Sequence, residues 1–174
     1  MGDPRKPRKK FDTPRHPWQI ERIEEEKKLL RNYGLKNKRE LWRMETLLRG
    51  FRRQARKLQA LDTPQAKKEE TQLLQRLARL NLLKKNATLD DVLALTLEDI
   101  LNRRLQTLVY KKGLANTIKQ ARQFIVHGHI SIKGRKVTAP SYLVKKEEEK
   151  SIKFSDFSPI KDMQALKTEV KEEA

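Results

Sequence analysis

Leu41, Met44, Leu48, Phe51, Ala55 and Leu58 recur at spacings of three and four, the period of one buried helix face. An Asn37-to-Glu40 capping pattern marks the start of that helix. Weaker patterns flank it. Trp18 to Tyr33 reads as a helix, with Glu24 and Lys28 spaced to pair across one turn and Gly34 placed to end it. Thr63-Pro64, a cap followed by proline at the first helical position, opens a third helix that buries Leu73, Leu77 and Leu80. The period lapses between Asn81 and Thr88, where Lys84, Lys85 and Asn86 mark a turn. A capping pattern at Thr88–Asp91 then starts a short connector helix, and another at Thr96–Asp99 starts the next.

Beyond Leu101 the pattern describes a compact module. One helix buries Leu101, Leu105, Leu108 and Val109, leaves Arg103, Arg104, Tyr110 and Lys111 on other faces, and ends at Gly113. A second starts at Asn116 or Thr117, with Gln120 completing the cap. It buries Ile118, Ala121 and Ile125 and turns Lys119, Arg122, Gln123 and His127 outward. After His127-Gly128 the period becomes two: Ile130 and Ile132 alternate with polar neighbours, Lys133-Gly134 fits a tight hairpin turn, and Val137 begins the return. Tyr142 with Val144, and Ile152 with Phe154, fit two more short strands. The expected class is therefore α+β: a basic arm (1–17), a helical region (18–100), a module of two helices over a small sheet (101–155) and a polar tail (156–174).

Charge changes this picture from a fold to a surface. The chain carries 41 Lys and Arg against 23 Asp and Glu, a net charge of +18. Self-repulsion of that size calls for a partner that neutralises it. From Arg103 to Lys146, 44 residues hold eleven Lys or Arg and no Asp or Glu. At the chain's overall acid frequency that window would hold about six carboxylates. Five Lys or Arg also fall among the nine residues from Arg49 to Lys57, which turns Arg49, Arg52, Arg53 and Arg56 toward a polyanion. The N-terminal segment mixes Pro4, Pro7, Pro14 and Pro17 with Arg5, Lys6, Arg8, Lys9, Lys10 and Arg15, the composition of an extended arm without a core.

Other chemistries find little support. The chain has no cysteine, which removes disulfides, zinc–cysteine sites and thiol catalysis together. His127 and His129 across one glycine, with only His16 elsewhere, make a poor metal site. Glu24–Glu26 and Glu147–Glu149 read as solvated charge runs. No apolar stretch approaches the roughly 18 residues of a membrane span. Met1 to Lys10 carries charge with no apolar run behind it, so a cytosolic protein is expected. No cofactor, metal or small-molecule substrate is implied.

The run from Arg103 to Val144 resembles the S-four-type RNA-binding domain, through Gly113, Ala121-Arg122-Gln123, His127-Gly128-His129-Ile130, Lys133-Gly134-Arg135 and Pro140-Ser141-Tyr142 in order and spacing. The opening G-D-P-R-K-P-R-K-K-F-D-T-P-R-H-P-W, with R-N-Y-G-L-K-N-K-R-E-L-W-R and F-R-R-Q-A-R-K-L, resembles the archaeal branch of the S-four ribosomal family. The resemblance implies a primary binder of small-subunit ribosomal RNA that nucleates assembly of the five-prime domain. It also implies a place beside the fifth small-subunit protein, near where messenger RNA enters, with an effect on decoding accuracy. It puts RNA contacts on Arg103, Arg104, Asn116, Thr117, Arg122, Gln123, His127, Lys133 and Arg135; Lys119 and Lys136 add charge to the same surface. The chain departs from the family pattern at Gln106, Ile118 and Lys133, where Asp, Arg and Asn are usual.

Two other classes compete. An RNA-modifying or aminoacylating enzyme carrying this domain would need a phosphate-cradling glycine loop or a catalytic carboxylate in a sheet, and six glycines supply no such loop. A helix-turn-helix reader of duplex DNA would require DNA to compete as well as folded RNA.

Overall fold

The computed structural model describes residues 9–84, 86–156 and 158–159. Its helices are α1 Ile20–Asn32, α2 Lys38–Gln59, α3 Pro64–Arg79, α4 Leu89–Ala94, α5 Leu97–Asn102, α6 Leu105–Lys111, α7 Ile118–Val126 and α8 Lys146–Glu149. The strands β1 Ile130–Ile132, β2 Arg135–Lys136 and β3 Ile152–Phe154 form one antiparallel sheet in the order β2-β1-β3. The chain divides into two compact units, Met1–Leu74 with Asn86–Leu101, and Gln75–Lys85 with Asn102–Ala174.

In the first unit, α2 follows its sequence pattern closely. The Asn37 side chain accepts from the Glu40 N–H, and Leu41, Leu48, Phe51, Ala55 and Leu58 are buried. The helix packs on α1 and α4. One apolar cluster joins Leu35, Leu41 and Leu101, with Leu29, Leu30, Tyr33, Met44 and Leu97 against it. Gly34, at φ 57°, takes the left-handed turn that ends α1. Both connector caps form: the Thr88 N–H donates to Asp91 at 2.8 Å and the Thr96 N–H to Asp99 at 2.8 Å. Each starts its own helix, as the two start signals predict: α4 after Thr88 and α5 after Thr96.

Two expectations in this unit change. The arm is not wholly without packing: Phe11 lies 6.0 Å from the Trp42 ring, and the Asp12 N–H donates to Thr46 Oγ1 at 3.1 Å. Residues 1–8 lie outside the described residues. Glu26 is buried rather than solvated, and it, not the Glu24–Lys28 pair, organises α1. Arg22 pairs with it one turn away, Lys38 lies 2.8 Å from it and Trp42 Nε1 donates to it at 3.1 Å. Burial raises the Glu26 pKa, but the hydrogen bonds from Lys38, Trp42 and Arg22 outweigh it and hold the carboxyl below its ordinary range.

In the second unit, Leu105, Leu108, Val109, Ala121, Phe124, Ile125, Ile130, Ile132, Val144, Ile152 and Phe154 share one core. Here α6 packs on α7. The helix expected to run from Leu101 to Gly113 is broken. Its backbone is extended at Arg104 (φ −69°, ψ 141°), between α5 and α6. The segment expected as a strand at Tyr142 to Val144 instead bridges to this break: Leu105 N–H donates to Tyr142 O at 2.8 Å, and Val144 N–H to Arg103 O at 3.0 Å. The return strand is Arg135–Lys136, one step before Val137. Strand β1 is buried at all three positions, because Ser131 is covered too and its hydroxyl lies 3.3 Å from Phe154 O. Of the polar tail, only residues 156, 158 and 159 are described, and Ser158 is buried.

Candidate nucleic-acid interface

The N-terminus of α7 is built by reciprocal capping. Thr117 Oγ1 accepts from the Gln120 N–H at 3.1 Å, while Gln120 Oε1 accepts from the Asn116 N–H at 2.8 Å. With Ala121, Phe124 and Ile125 drawn inward, the opposite face of the helix presents Lys119 and Gln123 to solvent, beside exposed Asn116 and Thr117. Arg122 is half-buried, and the reason lies in α6. The buried Gln106 amide donates to Ile118 O at 3.0 Å and accepts from Arg122 Nη1 at 3.4 Å. It ties the two helices together and orients the guanidinium without neutralising it, as an aspartate there would. Sequence reading marked Gln106 only as a departure; its positioning role emerges from contact across the helices.

The hairpin supplies the second half of this surface. Lys133 (φ 49°) and Gly134 (φ 77°) both take left-handed conformations, the signature of a two-residue primed turn. Lys133, Arg135 and Lys136 are all exposed. His127 caps the C-terminus of α7 and is exposed, its ring stacked on His129 at 6.2 Å. His129 Nδ1 is 3.0 Å from Ser158 Oγ. The left-handed Gly128 lets the Lys136 chain lie across it: a Cβ at Gly128 would sit 2.0 Å from Lys136 Cε. His127, Gly128, His129, Gly134, Lys136 and Ser158, with Ser131, Ser155 and Asp156, line a cleft of about 250 Å³.

Arg103 and Arg104 sit elsewhere. Both are buried, at 7% and 1% exposure. This corrects the expectation that they face outward on a continuous helix, since the break at Arg104 ends the period on which that face was assigned. Arg103 Nη1 pairs with Glu149 at 2.9 Å and Nη2 donates to Val144 O at 3.1 Å. Glu149 lies in the run expected to be solvated. Its neighbour Glu148 accepts from the Tyr142 hydroxyl at 2.8 Å. Burial raises the Glu148 pKa, yet hydrogen bonds from Tyr142 and the Lys145 N–H bring it below the ordinary value. The same contact, added to burial, raises Tyr142.

On α2, Arg53 and Arg56 are exposed and have no acidic partner among the described residues. Arg49 pairs with Glu45 and lies 3.9 Å from Asp12. Arg52 is half-buried and donates to Leu95 O at 2.6 Å, which anchors α2 to the turn after α4. Among the described residues, no group of three His, Asp or Glu side chains could hold a metal ion, and no helix is long and apolar enough to cross a membrane.

Comparison with known families matches residues 5–102 to the Ribosomal protein S4/S9 N-terminal domain and residues 103–150 to the S4 domain. The chain is 55% identical over 161 residues to Small ribosomal subunit protein uS4 of Methanothermobacter thermautotrophicus, covering 92% of this chain and 94% of that protein. It is 60% identical over 159 residues to the protein of the same name from Hyperthermus butylicus, covering 91% and 90%. The Picrophilus torridus protein is 59% identical over 165 residues, covering 93% and 90%. With the S4 module and the preceding helical region both matched, and such identity along nearly its whole length, the chain belongs to the uS4 family of small-subunit ribosomal proteins.

Proposed function

We propose that this chain is a primary binder of small-subunit ribosomal RNA, nucleating assembly of the five-prime domain. It is a structural constituent of the small ribosomal subunit, a cytoplasmic particle, and not an enzyme. The observation that carries the RNA reading is the surface of the S4 module, where Asn116, Thr117, Lys119, Gln123, His127, Lys133, Arg135 and Lys136 are exposed along α7 and the hairpin. Among the ion pairs of the described residues, this set meets a carboxylate at Lys133, 4.0 Å from Glu147. In the other unit, Arg53 and Arg56 of α2 carry a second basic face, with Arg49 paired to Glu45 and Arg52 bonded to Leu95 O beside it.

Arg103 and Arg104 act in this reading from beneath, holding the α5–α6 break to the segment around Val144 rather than touching phosphate. Binding is dominated by Lys and Arg displacing counterions from phosphates, with folded RNA shape as the selective feature. The family resemblance further supports a place beside the fifth small-subunit protein, near where messenger RNA enters, with an effect on translational accuracy.

The test is binding to the five-prime domain of archaeal small-subunit ribosomal RNA across a salt series, with transfer RNA and duplex DNA as competitors. With about six phosphates engaged, raising salt from about 50 to about 200 mM lowers affinity roughly a thousandfold. Neither competitor displaces the specific RNA at equal concentration. Equal competition by all three would leave charge as the only recognition and overturn the primary-binder reading.

A further inference from the structure

The cleft beside the hairpin contains groups that attraction to phosphate does not explain. Between its flanks runs His127-Gly128-His129, the lead-in to β1, where the two imidazole rings lie parallel to within 14°. The sheet order β2-β1-β3 puts Lys136 on one flank and Ser155 with Asp156, just past β3, on the other. Both flanks are set by contact with the lead-in. The Lys136 chain lies over Gly128, where the left-handed backbone (φ 76°) and the missing side chain make room for it. On the other side, the Ser155 N–H donates to His129 O at 2.7 Å, and Ser158 Oγ lies 3.0 Å from His129 Nδ1.

The chemistry of the two flanks is opposite. The Lys136 ammonium has no hydrogen-bond or ion-pair partner among the described residues. Asp156 Oδ1 is 3.2 Å from Lys153 Nζ, while Oδ2 makes no contact among the described residues. A phosphate, which only accepts hydrogen bonds, would meet Lys136 well and Asp156 badly. A nucleobase has a flat face for the imidazoles and carries acceptors and donors on different edges. Guanine fits this pair of flanks best. Its O6 and N7 accept on one edge, and its N1–H and N2–H donate side by side on another, the arrangement that a carboxylate takes with both oxygens. Each of the other three bases offers a carboxylate only one such group.

We infer that this cleft holds one unpaired guanine of the bound RNA. The base stacks on the exposed His127 ring, O6 or N7 accepts from Lys136, and Asp156 accepts from N1–H and N2–H. A cleft of about 250 Å³ has the size for a single base rather than a larger ligand. The inference rests on the chain binding ribosomal RNA, and it adds to shape recognition one position at which a base is read.

Charge and base reading predict opposite signs for Asp156→Ala in the full chain. Removing a carboxylate raises the net charge by one and, by charge alone, tightens binding to RNA. Losing the guanine contact weakens it, and affinity for the five-prime domain of archaeal small-subunit ribosomal RNA is expected to fall about tenfold. Kethoxal, which reacts at N1 and N2 of unpaired guanine, reads the contact itself. At saturating protein, one guanine is expected to be unreactive in the complex with the unaltered chain and reactive in the complexes with Asp156→Ala and with His127→Ala. Both side chains are exposed, so both variants should keep the far-UV circular dichroism of the unaltered chain. Equal or tighter binding by Asp156→Ala, or the same kethoxal pattern in all three complexes, would each overturn the inference. An unaltered chain that does not bind this RNA would bring down the primary-binder reading and this inference with it.

Discussion

Arg103 and Arg53 look alike in sequence, each lying in a basic cluster, yet they occupy opposite situations. Arg53 and its neighbour Arg56 stand exposed on the outer face of α2. Arg103 is 7% exposed, its guanidinium shared between Glu149 and the Val144 carbonyl. The window from Arg103 to Lys146 contains no acid, but the residues that follow it, Glu147 to Glu149, fold back as the end of α8 and supply carboxylates to its base. Purity of charge along a chain is therefore not purity in space. Part of a basic stretch can be internal scaffold, and the remainder is what meets RNA.

Substitution should separate the two situations. The largest effect is expected from Arg103→Ala, which leaves Glu149 without its partner and removes two hydrogen bonds at the α5–α6 break; about 3 kcal/mol of stability should be lost in urea titration. Arg53→Glu should change stability by less than about 0.5 kcal/mol while costing about 1–3 kcal/mol of affinity for the ribosomal RNA domain. If Arg103→Ala unfolded at the wild-type urea midpoint, the scaffold role would be wrong.

Within the module, Lys133 bears both roles at once. At φ 49° it takes a backbone conformation that costs a non-glycine residue about 1 kcal/mol, and it holds an exposed cation at the hairpin tip. Lys133→Gly should raise the unfolding free energy by up to about 1 kcal/mol and lower RNA affinity in the same preparation. Loss of both properties would show that the side chain contributes to the fold after all.

The smallest expected effect is a pH dependence at Glu26. Its folded pKa lies below the ordinary carboxylate value, because the hydrogen bonds from Lys38, Trp42 and Arg22 outweigh burial. The stabilisation is therefore complete above the unfolded pKa of about 4.3 and is lost as pH falls through the lower folded value. Glu26→Gln should flatten that part of the acid limb of a stability-versus-pH curve. Glu148, also lowered, leaves its own share of the limb in place.

How much of this was legible depended on whether a feature was local. The α2 stripe, the Asn37, Thr88, Thr96 and Thr117 caps, and the Lys133-Gly134 turn all rest on contacts within a few residues, and each appears where the pattern put it. The break at Arg104 left no such trace. Leu101, Leu105 and Leu108 keep a helical period straight through it, and the extended backbone there is held by Tyr142 and Val144, some forty residues away.

The candidate surface divides along the same line. Lys119, Gln123, Lys133, Arg135 and Lys136 were readable as outward because the helix period and the hairpin alternation each set a face. The roles of Gln106, Glu26 and Glu149 were not, since each acts by contact with a distant partner or a neighbouring helix. By itself the sequence determined the helices, their caps, the hairpin, the excess of positive charge and the family. Only the tertiary structure decided which cations are spent inside the protein and which remain for RNA, because a buried charge requires a partner, and this chain brings those partners from outside the stretch in which the cation lies.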